Sequence, residues 1–428
     1  MDILYIVTYF LLWVVTFTIY WRRKRNLDAG WIIILSYLVS AGLAIRLYTM
    51  PAVYYDFEPL RFFPFVYLFL MLLLALSPVI RFDSKQITSI EQPNMFVLNA
   101  TACFIIFFSI LYIPALYKLF QGGGLTQLLS DSEAGREMYS ETLLEAENTG
   151  SGIENIPSIV VNAFSDITIL LLFYYLSLPK KRWWLIVCLF ISAALYTLTP
   201  IFSGERGNVV IALMTILAAY FLMRSYYSAR LRRWLYRAGL ILFALVTIPI
   251  AAITISRFGD EEGGSMASLI YYAGQAPLNF NNYGLDAGGI RNGDRTLTLV
   301  KQMIDSDTPK NYVDRREKYY YLKMDDYIFY TFVGDFTLDF GPYIAPLIFL
   351  LFTGLILLLT KPKENSIAFH QLLLIYFVVC ICMQGSFYLF AYADTAGLKI
   401  VVLFILYFVF KYMPNKTTTK ESVSLCQD

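Results

Sequence analysis

The sequence predicts an all-α, polytopic membrane protein with about 11 transmembrane helices. Three observations carry that prediction. Charge is scarce, apolar stretches near twenty residues long recur throughout, and basic residues fall in every second connection. Of 428 residues, 58% are hydrophobic and 15% charged, against about 25% charged in a soluble domain. Much of this surface therefore does not meet water. A net charge of +2 and the lack of a basic patch interleaved with aromatics exclude a nucleic-acid partner.

Stretches able to cross about 30 Å of hydrocarbon run at about 2–21, 30–48, 61–80, 95–117, 159–178 and 184–203, then 208–224, 239–257, 342–360, 367–386 and 397–412. Together they make residues 1–428 a single membrane domain. The first stretch reads as a retained anchor, because its positive cluster follows the apolar run and no small-residue cleavage site appears.

Orientation comes from the basic connections. Arg22, Arg23, Lys24 and Arg25 follow the first span; Arg81 and Lys85, then Lys180, Lys181 and Arg182, follow the third and fifth. Arg224, Arg230, Arg232, Arg233 and Arg237 come after the seventh, Lys361 and Lys363 after the ninth, and Lys411, Lys416 and Lys420 at the end. With eleven spans all lie on one side. The N-terminus is then outside and the tail, 413–428, cytoplasmic, as expected of a multi-pass protein of a bacterial inner membrane.

Two external connections are long. Residues 118–158 open with Gly122-Gly123-Gly124 and turn acidic, with Glu133, Glu137, Glu141, Glu145 and Glu147 spaced as on an exposed helix. Residues 258–341 are rich in aromatics and charge; loops of such length are usually functional when ordered. At least two short helices are expected there, one around 297–304 and one around 325–336.

Few groups are available for chemistry outside that region. The single histidine, His370, sits at a helix end, and Cys103, Cys188, Cys380, Cys382 and Cys426 have neither disulfide nor zinc spacing. No metal site and no cofactor are expected.

Charge is placed at the membrane edge in three segments. In Ser203-Gly204-Glu205-Arg206-Gly207-Asn208, glycines allow a tight turn and Arg206 opens the seventh span. In Ser256-Arg257-Phe258-Gly259-Asp260, the eighth span ends. Arg206 and Arg257 lie at similar depth and form either a cationic clamp or two arginines that snorkel to headgroups. Guanidinium forks suit diphosphate, donating two parallel hydrogen bonds while staying charged. In Gly334-Asp335-Phe336-Thr337-Leu338-Asp339-Phe340-Gly341, the carboxylates are four apart and share a helical face, for chemistry or for capping. Arg291 and Arg295 repeat that spacing, as a second cationic pair or as solvated loop charge. Asp166 and Asp394 are ionisable groups at membrane depth and hence candidates by default.

The Gly-Glu-Arg-Gly turn, the Ser-Arg-Phe before a long external loop and the Asp-Phe-Gly entering the next span together resemble the O-antigen/oligosaccharide repeat-unit polymerase family, of Wzy type. The resemblance implies a GT-C-like fold with short helices in the large external loop. It also implies transfer of a glycan from undecaprenyl diphosphate to the next lipid-linked repeat unit, for O-antigen, capsule or exopolysaccharide. Arg206 and Arg257 would hold the diphosphate, with Asp260, Asp335 or Asp339 as base for the acceptor hydroxyl. Glu205, Arg291, Arg295, Tyr319 and Tyr330 would bind substrate. Implied partners are the lipid-linked oligosaccharide, membrane lipids, a chain-length regulator and the flippase of the pathway. The related O-antigen ligases rely on a histidine in the large loop, and this chain has none there. A transporter or flippase remains the alternative of another class, though the arginines sit at one surface and no internal repeat is visible.

Overall fold

The computed structural model describes residues 1–50, 57–82, 87–121, 155–202, 206–258, 264–305, 307–309, 312–324, 328–362, 365–390, 397–414 and 422–424. The chain is mostly helical and forms two compact units. Among the described residues, seven helices are long and apolar enough to cross a membrane. These are α1 (Asp2–Lys24), α2 (Ala29–Tyr48), α3 (Phe62–Arg81), α4 (Met95–Gln121), α5 (Ile156–Ser177), α6 (Trp183–Phe202) and α7 (Arg206–Met223).

Local chemistry sets several of their ends. Arg22, Arg23 and Lys24 occupy the last turn of α1, where cations oppose the helix dipole favourably, and Arg25 closes it in the left-handed conformation at φ 46°. Asp28 caps α2 by accepting from the Trp31 amide at 3.0 Å, while the Tyr20 hydroxyl donates to the same carboxylate at 2.6 Å.

The later elements differ from expectation. The predicted span 239–257 lies inside a 30-residue helix, α8 (Ala229–Phe258), that begins in its basic segment. Next comes α9 (Gly264–Tyr283), a 20-residue helix within the segment expected to be a loop. Two short helices follow, α10 (Thr298–Gln302) and α11 (Tyr312–Lys318), and then α12 (Thr331–Phe340), which starts six residues later than the predicted helix. The last three apolar helices are α13 (Ala345–Leu359), α14 (Phe369–Gln384) and α15 (Leu398–Tyr412), of 15, 16 and 15 residues. At 1.5 Å per residue, 15 residues reach only about 22 Å.

The all-α expectation also needs amendment. Three short strands, β1 (Ser89–Glu91), β2 (Ser366–Ala368) and β3 (Ser422–Ser424), pair in the order β2-β1-β3. β1 runs parallel to β2 and antiparallel to β3, with Ile90 opposite both Ile367 and Val423. Strands of three residues are too short to show an alternating pattern in sequence.

The first unit comprises residues 1–83, 266–361 and 377–401. Its centre is aromatic: Trp13 stacks on Tyr37 at 5.0 Å, Tyr9 stacks on Phe65 at 5.2 Å, and Phe69 meets Trp13 edge-on. α9 is packed inside this unit. A Cβ added at Gly274 would lie 2.8 Å from the Leu43 backbone, so glycine permits the close approach of α9 to α2. The amides on α9 explain why its sequence does not read as a span. Asn281 accepts from the Arg61 amide at 2.9 Å and donates to the Arg61 carbonyl at 2.7 Å, as a neighbouring strand would. Asn282 donates to the Glu58 carbonyl at 3.1 Å.

The second unit holds α4–α8, the three strands, the start of α14 and most of α15. Asp166 is wholly buried within it, and the Tyr376 hydroxyl donates to its backbone carbonyl at 3.0 Å.

Candidate functional site

Within the first unit, the segment between α9 and α10 turns sharply at Asn292 and Gly293, both at positive φ (53° and 82°). That turn, closed by Asp294 donating its amide to the Arg291 carbonyl at 3.0 Å, points Arg291 and Arg295 to one side. α12 presents Asp335 and Asp339 four residues apart on its buried face, as their spacing predicts. The two pairs meet.

Asp339 is fully engaged. One carboxylate oxygen accepts from Arg291 Nε at 2.8 Å; the other accepts from the amides of Thr296 at 2.7 Å and Arg295 at 3.3 Å. Asp335 lies 2.8 Å from Arg295 Nε and 3.5 Å from Arg291 Nη2, and accepts from the Leu389 amide at 2.8 Å. Arg291 also donates its own amide to the Leu338 carbonyl. Above the pair sits Tyr330, whose hydroxyl accepts from Nη1 of both arginines. All five residues are buried, with exposures of 4% or less. Arg291 and Arg295 are thus not solvated loop charge.

Burying a lone ion costs several kcal/mol; here two guanidinium groups face two carboxylates and the sum is zero. The backbone beneath is strained at one point, since Thr331, a β-branched residue, sits at φ 68°. Its amide donates to the Phe387 carbonyl at 2.9 Å and the next, of Phe332, to the Gly385 carbonyl at 3.0 Å. A strap at 385–389 thereby holds the start of α12 and, through Leu389, Asp335.

A second cluster adjoins the first. Asp294, also wholly buried, receives Lys301, Lys318 at 2.8 Å and the Tyr319 hydroxyl at 2.6 Å. Tyr319 links the clusters, since its hydroxyl also lies 2.9 Å from the Arg291 carbonyl. Burial opposes ionisation of Asp294, but the two ammonium groups and the phenol hold its carboxyl below the ordinary aspartate range. Burial, then the neighbouring Asp294 charge, raises the Tyr319 phenol above its usual value. The Asn292-Gly293 dipeptide marks a turn in the sequence, and it is the one local signal beside Asp294.

The structure therefore brings Arg291, Arg295, Asp335, Asp339, Tyr330 and Tyr319 together. Arg206 begins α7 and Arg257 lies in the last turn of α8, but the side chains of both fall outside the described residues, as do Glu205, Asp260 and Asp394 entirely. The acidic run from Glu133 to Glu147 also lies outside them. Among the described residues, no group of three or more His, Cys, Asp or Glu is placed to hold a metal ion.

Seven helices long and apolar enough to cross a membrane, with a cluster of buried charge in the first unit, mark a mostly helical chain of membrane-protein character. Comparison with family models, with curated proteins and with solved structures finds no match.

Proposed function

We propose that the chain is a membrane glycosyltransferase that polymerises lipid-linked oligosaccharide repeat units at the outer face of the cytoplasmic membrane. The observation that carries this reading is the neutral cluster of two arginines and two aspartates. It pins the turn carrying Arg291 and Arg295 against α12, beside helices of membrane length. An enzyme acting on a lipid-anchored sugar needs a platform at the bilayer edge.

In the transfer, the bond from the sugar anomeric carbon to the diphosphate oxygen breaks and one to the acceptor oxygen forms. The leaving diphosphate takes the electron pair, and Arg206 with Arg257 stabilises its charge; preorganised charge of this kind is usually the largest catalytic contribution. Asp335 and Asp339 are already committed to arginines and backbone amides, so they act as positioning residues. The proton of the acceptor hydroxyl passes to Asp260.

The small sheet supports the sidedness of this reading. Strands that pair lie on one side of a bilayer, so the connections carrying Ser89, Ser366 and Ser422 share a side. That agrees with their common placement by the basic residues.

The test is the size distribution of surface polysaccharide in a strain lacking the gene and carrying single variants at matched membrane levels. Arg206→Ala and Arg257→Ala should each collapse long chains to single repeats, a loss of about a hundred- to a thousandfold in rate. Arg136→Ala should change little. Long chains from both alanine variants would overturn the assignment, and loss of all surface glycan would point to a flippase or ligase.

A further inference from the structure

The short helix α10 is amphipathic in the inverse sense for a helix facing water. Its polar side chains turn inward: Thr298 is buried and Lys301 reaches Asp294. Its outer side carries Leu297, Val300, Met303 and Ile304, exposed by 45%, 53%, 82% and 83%. Positions 297, 300 and 304 follow helical spacing, and the turn continues past Gln302 because Ile304 and Asp305 both donate their amides to the Lys301 carbonyl.

The level of this face relative to the apolar helices is fixed by contacts within the same unit. A Cβ at Gly293 would touch Phe340 and Leu297 at 3.3 and 3.4 Å, and one at Gly341 would reach Ile290 at 3.8 Å. α10 thus springs from the junction of α12 and α13. From there exposed Ile344, Leu347, Leu351, Leu355 and Leu358 form an apolar side down the length of α13. Tyr343, 90% exposed, stands at its head, and the Tyr67 hydroxyl donates to the Pro342 carbonyl at 2.6 Å. α3 therefore starts at the same level, with Phe62 and Phe63 exposed. Aromatic residues at helix starts mark the membrane–water boundary.

We propose that residues 297–304 form an interfacial anchor whose apolar side rests in the bilayer surface, continuous with the lipid-facing side of α13. The partner is the lipid surface itself. Charge agrees: Lys301 and Lys318, both partly exposed, share the single carboxylate of Asp294 and leave one positive charge in excess beside this face. The anchor would hold the Arg–Asp cluster at a fixed height above the hydrocarbon. This inference does not depend on the activity proposed above.

Site-directed spin labels test it in the full chain, with its own cysteines replaced, in nanodiscs of phosphatidylethanolamine and phosphatidylglycerol. Labels go at Ile304→Cys, at Asp307→Cys as a water control and at Leu351→Cys as a hydrocarbon control. All three positions are exposed, so labelling should spare the fold; retention of the monodisperse elution peak checks this. Oxygen should relax the Ile304 label more than a water-soluble nickel chelate does, giving a depth between the two controls. A label as open to nickel as that at Asp307 would overturn the anchor. One closed to both reagents would also overturn it, showing that protein and not lipid covers the face. The measurement uses no substrate, so its failure is distinct from failure of the polymerase reading.

Discussion

Arg291 and Arg295 share one acceptor: Nη1 of each lies 2.9 Å from the Tyr330 hydroxyl. A phenol oxygen has two lone pairs, so Tyr330 serves both guanidinium groups at once and sets the distance between them. Removing the hydroxyl in Tyr330→Phe leaves two buried N–H groups short of an acceptor, a loss of roughly 1–3 kcal/mol. Arg295→Ala should cost more, about 3–5 kcal/mol, because Asp335 then keeps a buried charge facing one arginine fewer. Thermal unfolding of purified protein should rank the wild type above Tyr330→Phe and Tyr330→Phe above Arg295→Ala. The reverse order of the two variants would show that the phenol, and not charge balance, holds the cluster.

Acid should loosen the second cluster by a route that can be traced to Asp294. An ordinary aspartate takes up its proton near 3.8, and Asp294 in the folded chain does so at lower pH. The unfolded chain binds that proton first, so the stabilising contribution is complete above the ordinary aspartate range and fades as pH falls through the folded value. Asp294→Asn abolishes it. The stability gap between wild type and Asp294→Asn should be constant near neutrality and narrow below about pH 4. A gap independent of pH down to acid unfolding would show that the carboxylate charge contributes nothing.

The approach of α9 to α2 depends on a missing side chain. Gly274→Ala would place a Cβ 2.8 Å from the Leu43 carbonyl carbon and oxygen, against backbone that cannot swing aside. Overpacking of this sort costs about 1–3 kcal/mol, so the melting temperature should fall. Gly239→Ala, where an added Cβ meets nothing within 4 Å inside α8, is the control and should not lower it.

Parity of crossings gives a topological prediction. β1 and β2 share a side, so the number of crossings between Glu91 and Ser366 is even. If α4 to α8 and α13 each cross, they make six, which leaves no place for α9 as a seventh. Single cysteines at Glu262 and Asp286, which flank α9, should react with a membrane-impermeant maleimide from the same face. Those at Glu91 and Ser366 should react from the opposite one. Labelling of Glu262 and Asp286 from opposite faces would make α9 a true span and change the orientation of everything before it.

What the sequence disclosed follows the range of each interaction. The pairs Arg291/Arg295 and Asp335/Asp339 were legible because each spacing of four is local. That the pairs bind each other was not, since Arg291 and Asp339 are 48 positions apart and each pair alone also suits solvent. α9 escaped for a different reason. Gln275, Asn279, Asn281 and Asn282 break its hydropathy, and the backbone groups they satisfy, at Phe329, Arg61 and Glu58, are visible only once folded. Membrane character was plain because it is a bulk property, whereas the exact number of spans turns on helices such as α13, whose 15 residues leave crossing undecided by length alone.

The three-stranded sheet also imposes a timetable. Glu91 leaves the ribosome 275 residues before Ser366, whose hydroxyl donates to it at 3.1 Å in the finished protein. At about 5–20 residues per second, β1 waits on the order of 15–55 s with both edges unpaired, and β3 arrives later still. The sheet therefore closes only after α15 has been synthesised, and a chain truncated before Ser422 would finish with one edge of β1 still open to whatever strand reaches it first.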